Sequence, residues 1–438
     1  MYKVSVVIPV YNAQEYLREC LESVRNQTLK EIQVILVDDG STDGSRKILD
    51  EYVQKDDRFL LLKQENQYAG TARNNGMRKA CGEYICFLDA DDCFEHTMLE
   101  DMYEQAKEHN SDIVICNGYL FDSVTKEIQE PTWLLRSEYT TAKPYDFSYK
   151  DVPERIFQIT IGVPWNKLYK RSFVEETGIQ FQEIKRCNDE YFANMSLILA
   201  GHIAILNKRL VYYRINNPDS LQGMSNLTEP SFDFYKALIA IQNELYARNI
   251  YQSVERSFVS KCLSSCIAAL RKQKSFYNFS AVYNFLKDKA FGDLNIGKHG
   301  KEFYYSNFDI YSDIMKYSPE EFLFNENMKF LKGGKAHYFF PFAKLEGVRN
   351  IALYGAGKVG KAFWHQLTNN NYYRMAAWFD VKFEEYKKTG LPVTDPKDIR
   401  NHEFDKIVIA IEDRKVAESV YRYISEQGIP ESKIMYGL

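Results

Sequence analysis

Long apolar runs, paired cysteines and an excess of basic residues are all missing from this chain of 438 residues. No segment approaches the ~18 consecutive apolar residues of a membrane span, and polar residues interrupt the most apolar window, residues 193–206. The N-terminal residues lack the apolar stretch of a signal peptide. We therefore expect a cytoplasmic protein, which leaves open a peripheral position at the inner face of the cell membrane.

The cysteines and the charges exclude further classes of protein. The eight cysteines include no Cys-x-x-Cys pair, so we expect free thiols rather than a zinc site. The formal net charge of −4 argues against a nucleic-acid-binding protein, because such proteins carry a basic surface. Hydrophobic residues make up 45% of the chain and charged residues 26%, which is typical of a globular protein and excludes a disordered one.

Residues 1–120 alternate apolar strand-like segments with helical patterns. We expect strands at residues 4–10, 32–37, 59–62 and 84–88. Strands that alternate with helices predict a mostly parallel sheet covered by helices on both faces. Ligands of such sheets bind beyond the carboxyl ends of the strands. The residues expected at those ends are Asp38, Asp39, Asp89 and Asp91.

The acidic cluster Asp89-x-Asp91, with Asp92 beside it, follows the fourth expected strand. Like charges at one edge repel each other, and a divalent cation would offset that repulsion because it takes carboxylate and phosphate oxygens together. The alternative is that these aspartates cap helices. The position of the cluster beyond a buried strand favours a metal site.

Residues 227–345 change in character, because helical spacing replaces the strand pattern. The stretch holds sixteen Lys and Arg against twelve Asp and Glu. Basic and aromatic residues near its middle could dock the protein on an anionic membrane, or they could be a solvated basic face with aromatics in the core. The residues concerned are Arg256, Lys261, Arg271, Lys272, Lys274, Phe276, Tyr277 and Phe279.

The C-terminal block contains a glycine-rich turn after a short strand. Gly355, Gly357 and Gly360 have the spacing of a dinucleotide-binding fingerprint, and Asp380 follows twenty residues later. About 60 residues remain after Asp380, too few for a second half-domain and a catalytic region. Nucleotide binding and a packing role, for instance in a homo-oligomer, both remain open. We thus expect three domains, residues 1–226, 227–345 and 346–438.

Several segments, taken in order, resemble glycosyltransferase family 2, the inverting transferases with a GT-A fold. The resemblance covers about residues 1–225. The segments are Val6 to Asn12 (VVIPVYN), Val37 to Asp43 (VDDGSTD), Ala72 to Gly76 (ARNNG), Gly82 to Ile85 (GEYI), Phe87 to Asp92 (FLDADD), Trp165 to Tyr169 (WNKLY) and Asn188 to Phe192 (NDEYF). The implied fold is an α/β GT-A nucleotide-sugar-binding domain, followed here by a helical region and a small Rossmann-like α/β domain.

The resemblance implies a nucleotide diphosphate sugar as donor, with UDP as the expected nucleotide. Tyr11 would offer a ring face to uracil, with the backbone of Pro9 and Val10 nearby. Asp39 would accept a hydrogen bond from the N3–H of the base, and Arg73 would flank the base or the pyrophosphate.

The same resemblance implies Mn²⁺ or Mg²⁺ as cofactor. Asp91 would be the principal metal ligand, and Asp89 would bind the ribose or a water molecule of the metal. The ion would offset the charge of the leaving diphosphate.

The resemblance also assigns the catalytic base. An inverting transferase needs a carboxylate that takes the proton of the acceptor hydroxyl, and relatives commonly carry it as the Asp of a Glu-Asp pair. That pair is Asn188-Asp189 here, so Asp189 would be the base and the role of the Glu is in doubt. Lys167 could contact phosphate and Trp165 a sugar ring, or both could be structural.

The expected function is an inverting glycosyltransferase that acts on a glycan or lipid-linked acceptor in capsule or other surface-polysaccharide synthesis. Two alternatives stay open. One is a nucleotide-sugar dehydrogenase or epimerase that acts through the C-terminal block. The other is a glycan-binding scaffold without catalysis.

Overall fold

The computed structural model describes residues 1–216, 230–273, 275–331, 347–369 and 373–437, together with residues 338, 340–342 and 345. These residues form two compact units. The first comprises the described parts of 1–225, 231–265 and 290–306, and the second the described parts of 226–230, 266–289 and 307–438. Helices of the 227–345 region therefore occur in both units. Among the described residues, no helix has the length and apolarity needed to span a bilayer.

The first unit contains one mixed sheet. Its strands are β1 (Val4–Val10), β2 (Ile32–Asp38), β3 (Phe59–Lys63), β4 (Tyr84–Phe87), β5 (Cys93–Phe94), β6 (Ile113–Asp122), β7 (Ile128–Gln129), β8 (Lys167–Lys170) and β9 (Ile203–Ile215). The order is β3-β2-β1-β4-β8-β6-β9-β5, with β7 paired to β6. The α/β class and the GT-A-like arrangement are thus confirmed.

Parallel pairing joins β1 to β2 and β4, and β2 to β3. The residues of β2 are all buried, as expected of a strand between two layers of helices. Each fully buried Val, Leu or Ile side chain contributes about 1.5–3 kcal/mol. Because these strands run in one direction, their carboxyl ends form one edge of the sheet.

Antiparallel pairing in the other half of the sheet departs from the expected mostly parallel arrangement. Strand β8 lies between β4 and β6 and is antiparallel to both. The pattern of Lys167–Lys170 is too short to predict as a strand, and its position depends on the tertiary contacts of both neighbours. The chain leaves β8 at Lys170, beside Tyr84 at the start of β4, and it has returned to the end of β4 by Asn188, which accepts a hydrogen bond from Arg73, the partner of Asp89.

The helices of the first unit are α1 (Leu17–Arg25), α2 (Ser45–Lys55), α3 (Tyr68–Met77), α4 (Met98–Glu108), α5 (Arg171–Thr177), α6 (Glu190–Leu199) and α7 (Asp233–Ala247), with the first part of α8 (Tyr251–Arg271), whose residues from 266 onward belong to the second unit. The first unit also has short 3-10 turns at Ser137–Tyr139, Ile156–Gln158 and Lys301–Phe303, and a helical turn, α10 (Phe291–Asp293). Residues at helical spacing bury one face of α1, which carries Leu17, Cys20, Leu21 and Val24.

An aromatic cluster fixes α6 against the sheet. The rings of Phe181 and Phe192 stack at a centroid distance of 4.1 Å, and Phe87 of β4 meets Phe192 edge-on at 5.4 Å. Aromatic pairs in such geometries contribute about 0.5–1.5 kcal/mol beyond the area they bury. The start of α6 is therefore held near the end of β4.

The second unit contains a four-stranded parallel sheet in the order β11-β10-β12-β13. Its strands are β10 (Asn350–Tyr354), β11 (Arg374–Phe379), β12 (Lys406–Ile409) and β13 (Ile434–Tyr436), and its helices are α9 (Phe276–Phe285), α11 (Phe308–Lys316), α12 (Pro319–Leu331), α13 (Lys358–Asn369), α14 (Phe383–Lys387) and α15 (Arg414–Glu426). The expected small parallel sheet domain is present. Gly355 has φ +106° at the turn after β10, where a side chain would also meet the Ala410 carbonyl.

Candidate active site

Asp39 follows β2 and is buried at the carboxyl edge of the sheet, with 2% of its surface exposed. Its Oδ1 accepts hydrogen bonds from Gln64 Nε2 at 2.7 Å and from the Gln67 amide at 2.8 Å. Burial raises the pKa of Asp39, and these hydrogen bonds oppose the rise. The neighbouring Asp38 is engaged by Arg46 and by the Ser41 amide. Asp39 is therefore held in one orientation at the rim.

Two exposed tyrosines belong to the segments that border Asp39. Tyr11 follows β1 and is 48% exposed, and its neighbour Asn12 binds the Thr42 amide at 2.7 Å. Tyr68 begins α3, is 40% exposed and adopts a φ of +68°. A left-handed conformation is strained for a bulky residue, and such strain clusters at ligand-binding segments. The sequence pattern singled out Tyr11 but not Tyr68, for which it offers no signal.

Arg73 on α3 connects two parts of the site. Its Nη2 donates to Asp89 Oδ1 at 2.5 Å and its Nη1 to Asn188 Oδ1 at 3.0 Å. The guanidinium also lies over the Phe181 ring at 5.4 Å, and its Nε is buried with no partner among the described residues. Arg73 thus links Asp89 to Asn188, the residue before Asp189. Its predicted contact with the base or the pyrophosphate stays a prediction.

A glycine allows the close approach of α3 to that segment. A side chain at Gly70 would collide with the Gln182 carbonyl and with the Asn188 side chain. Asn74, one turn further along α3, donates to the Phe181 carbonyl and accepts from the Phe181 amide, each at 2.9 Å. The contacts place Asn188, and with it Asp189, beside Arg73.

The turn 89–92 holds three carboxylates. Asp89 is 28% exposed, whereas Asp92 is fully buried. Burial, followed by the charges of Asp91 and Asp89, raises the pKa of Asp92 well above its ordinary value. Asp92 Oδ1 accepts from the Arg214 amide at 2.8 Å, and its Oδ2 is buried without a partner in the described part of the chain.

Arg214 on β9 forms hydrogen bonds to this turn. Its Nε donates to the Asp91 carbonyl and its Nη2 to Glu19 Oε2, both at 2.7 Å. Its side chain is 2% exposed, so the guanidinium is committed to the protein. Arg214 therefore positions the acidic turn.

Asp189 precedes α6 and is half-buried. Burial raises the pKa of Asp189 to about 6; the charge of Arg73 opposes this rise, and the charges of Glu190 and Asp89 add to it. The next residue, Glu190, is bound by Lys261 Nζ of α8 at 3.0 Å. A carboxylate with a pKa near the working pH is suited to general base chemistry.

Lys167 on β8 differs from the sequence expectation of a phosphate contact. Its ammonium is fully buried and donates to the carbonyls of Ile161 and Val163 and to Asn166 Oδ1, at 3.1, 2.7 and 2.8 Å. Burial lowers the pKa of Lys167 to about 7. An ammonium has three N–H donors, so none is left for a phosphate, and we leave Lys167 out of the proposed donor site.

Trp165 is also structural. It is 1% exposed, and its ring stacks on that of Tyr213 at 5.1 Å. Tyr213, which the sequence pattern did not single out, lies where several carboxylates act on it. Burial raises its pKa, and the charges of Asp92, Asp89, Asp91 and Asp189 raise it further. Tyr213 therefore lies near these carboxylates, where it packs on Trp165.

A metal ion would have to be held in part by its substrate. The described residues contain no group of three or more His, Cys, Asp or Glu side chains placed to bind a metal. Mg²⁺ is commonly bound by one or two carboxylates together with substrate phosphates, with water in the remaining positions. Asp89 and Asp91, both partly exposed in one turn, fit this second kind of site.

Comparison with known proteins agrees with this geometry. Residues 5–178 match the family model "Glycosyl transferase family 2", and residues 347–435 match "C2185-like, N-terminal". Glycosyltransferase GlyG of Streptococcus pneumoniae is 34% identical over 223 residues, which are 48% of this chain and 70% of GlyG.

The comparisons also include a polymer-modifying enzyme and a solved structure. Poly(ribitol-phosphate) beta-glucosyltransferase of Bacillus spizizenii is 30% identical over 256 residues, 57% of this chain and 38% of that protein. The crystal structure of Staphylococcus aureus TarS 1–349 in complex with UDP-GlcNAc is 20% identical with a TM-score of 0.50, and covers 70% of this chain and 94% of that one. TarS supports the fold alone, whereas the family model and GlyG identify the family. This chain belongs to glycosyltransferase family 2.

Proposed function

We propose that this protein transfers a sugar, with inversion, from a UDP-sugar to a glycan or lipid-linked acceptor in surface-polysaccharide synthesis. The observation that carries the proposal is the placement of Asp189. This carboxylate, with a pKa of about 6, is tied through Asn188 and Arg73 to Asp89 at the carboxyl edge of the sheet.

The reaction is a single displacement at the anomeric carbon of the donor. The acceptor oxygen forms a bond to that carbon while the bond from carbon to the diphosphate oxygen breaks, and the diphosphate leaves with the electron pair. Asp189 receives the proton of the acceptor hydroxyl. General base catalysis of this kind contributes roughly 10²–10⁴-fold, and it is most effective when the base titrates near the working pH.

The donor would lie along the carboxyl edge of the sheet. Tyr11 offers an exposed ring to the nucleobase, with the backbone of Pro9 and Val10 beside it, and Asp39 offers a fixed carboxylate to the base N–H. Asp91, with Asp89, would hold Mn²⁺ or Mg²⁺, which would neutralise charge on the diphosphate. The choice of UDP follows from the sequence resemblance, and the name of the poly(ribitol-phosphate) relative supports a role in polymer synthesis.

Peripheral membrane binding rests on fewer residues than the sequence suggested. Arg256 is engaged by Glu154 and by two backbone carbonyls, Lys261 by Glu190, and Phe279 is buried. Lys274 lies outside the described residues. The predicted membrane-binding residues that are exposed are Arg271, Lys272, Phe276 and Tyr277. We therefore propose that only this short segment contacts an anionic inner leaflet.

The role of the C-terminal unit is separate from this chemistry. Asp380 Oδ2 accepts a hydrogen bond of 2.6 Å from the Ala356 amide in the glycine-rich turn, so this carboxylate helps to shape the turn. Nucleotide binding there, and a role in packing or oligomerisation, both remain hypotheses. The dehydrogenase or epimerase alternative depends on nucleotide binding at that turn.

The direct test is to incubate the full chain with a panel of nucleotide sugars and acceptor glycans and to measure released nucleotide diphosphate, with Mn²⁺, with Mg²⁺ and with a chelator. We expect release from UDP-sugars, increased by acceptor and by metal. With NAD⁺ added, formation of an oxidised or epimerised nucleotide sugar without release of nucleotide diphosphate would favour the dehydrogenase or epimerase alternative. No turnover of any sugar, with glycan binding intact, would favour the scaffold.

A further inference from the structure

A cavity of about 480 Å³ that is widely open to solvent lies in the first unit, apart from the residues of the candidate active site. The start of α8 supplies one wall, with Gln252, Ser253, Glu255 and Arg256, and the 3-10 turn Lys301–Phe303 lies opposite. Its volume falls within the range of small-molecule binding sites. None of the residues predicted from the sequence to bind the donor, the metal or the acceptor lines this cavity. One lining residue, Arg256, was predicted to face a membrane instead.

Hydrogen bonds within the protein fix the walls of this cavity. The Arg256 guanidinium donates to Glu154 Oε2 at 3.0 Å and to the carbonyls of Phe303 and Glu302 at 3.1 Å each. His299 Nε2 and Glu255 Oε1 are 3.2 Å apart. The walls are therefore preorganised, which reduces the entropy lost when a ligand binds.

The chemistry of the lining residues selects the class of ligand. Glu154, Glu255 and Glu302 line the cavity; Arg256 pairs with Glu154 and His299 with Glu255. Phe303 adds an aromatic ring, which stacks on His299 at a centroid distance of 3.7 Å. Carboxylates accept hydrogen bonds from hydroxyl or ammonium groups and repel phosphate, and an aromatic ring packs against an apolar ring face. Carboxylates combined with an aromatic ring suit a pyranose.

The cavity is within reach of the proposed base along one helix. Arg256 and Lys261 are five residues apart on α8, about 7.5 Å along the helix axis. Lys261 Nζ contacts Glu190 Oε2 at 3.0 Å, and Glu190 directly follows Asp189. With side-chain lengths included, the cavity lies on the order of 10–20 Å from Asp189, a distance that an oligosaccharide can span.

We infer that this cavity binds sugar units of the acceptor that are remote from the reacting hydroxyl, and that these units are neutral or amino-bearing sugars rather than phosphate-bearing ones. The inference rests on the proposed function and adds to it the chemical class of the acceptor. An acceptor held at both places would be positioned by its remote sugars, and chain elongation would be favoured over transfer to a single sugar.

The test uses the full chain on an array of immobilised neutral, amino-bearing, uronic-acid and glycerol-phosphate oligosaccharides. Ser253→Trp fills the cavity from an exposed position, and Asn243→Trp adds the same side chain to an exposed position of α7 that does not line it. We expect the wild type and Asn243→Trp to bind neutral or amino-bearing glycans, and Ser253→Trp to bind them roughly tenfold less tightly or worse. Thermal unfolding checks that both variants fold.

Glycan binding that is absent from the array, or that Ser253→Trp leaves unchanged, would overturn the inference. So would cavity-dependent binding confined to the glycerol-phosphate probes. Calorimetric titration of the wild type with UDP separates this result from the proposed function. Normal UDP binding without cavity-dependent glycan binding contradicts the acceptor site alone, whereas the absence of UDP binding contradicts the proposed donor.

Discussion

Arg73 and Asn188 are 115 residues apart in the chain, and a hydrogen bond of 3.0 Å joins the Arg73 Nη1 to the Asn188 Oδ1. The same guanidinium forms an ion pair with Asp89. Arg73 therefore connects the acidic turn after β4 with the segment that carries Asp189, so the proposed donor and base regions share one cation.

Arg73→Met removes this cation and both of its bonds. Charge-assisted hydrogen bonds contribute about 1.5–3 kcal/mol, so we expect kcat to fall about 10- to 100-fold. Because Arg73 lowers the pKa of Asp189, its loss should also move the acidic limb of the kcat–pH profile to higher pH. Arg78→Met, an exposed change directly after α3, is the control. A lower kcat with an unshifted limb would limit Arg73 to a structural role.

Asn188→Asp places a second carboxylate next to the proposed base. A neighbouring like charge disfavours ionisation, so the pKa of Asp189 should rise from about 6. The acidic limb of the kcat–pH profile should therefore move to higher pH. The measurement is kcat against pH with a fixed metal concentration. Asn188→Ser removes the oxygen that accepts from Arg73 without adding charge. The acidic limb of its kcat–pH profile should therefore lie at a lower pH than that of Asn188→Asp. Identical limbs for the two variants would contradict the electrostatic explanation.

Asp39→Asn tests the nucleobase site. The amide keeps one acceptor oxygen but presents an N–H₂ group, which cannot accept the N3–H of uracil. We expect the KM for the UDP-sugar to rise about 10- to 100-fold, as for a lost charged hydrogen bond, with a smaller change in kcat. Asp57→Asn, at an exposed position before β3, should leave both constants unchanged. An unaltered donor KM in Asp39→Asn would place the nucleobase elsewhere.

Lys167→Met tests the structural assignment of the buried lysine. Removing the ammonium leaves buried oxygens without donors, and one unsatisfied buried group costs about 1–3 kcal/mol. We expect a lower midpoint of thermal unfolding and an unchanged donor KM in the protein that remains folded. Lys170→Met on the same strand, where the ammonium binds the exposed Asn110, is the matched control. Unchanged stability with a raised donor KM would make Lys167 a phosphate contact after all.

The parallel strands could be predicted from the sequence because they are buried on both faces. Residues 4–10 form β1 as predicted, and residues 32–37 form most of β2 (Ile32–Asp38). The antiparallel half could not be predicted in the same way. Strand β8 has four residues and β5 has two, and their pairing is decided by neighbours far away in the sequence rather than by local pattern.

The acidic residues of the candidate site were accessible to sequence reasoning, and the residues that hold them were not. Asp39, Asp89 and Asp91 follow apolar strands, which is a local signal. The partners of Arg73 and the burial of Lys167 depend on tertiary packing, so their side chains could equally have faced a ligand. For Tyr213, the position on a long strand carried no local signal of its closeness to the carboxylates.

The central claim is that Asp189 takes the acceptor proton, and the most direct measurement is the transfer kinetics of Asp189→Asn alongside its UDP affinity by calorimetry. Glu183→Gln, an exposed change in the preceding segment, is the control. We predict that Asp189→Asn lowers kcat by roughly 10²–10⁴-fold, abolishes the acidic limb near pH 6 and leaves the UDP Kd nearly unchanged. A kcat close to that of the wild type, or a large loss of UDP binding with kcat intact, would contradict the assignment.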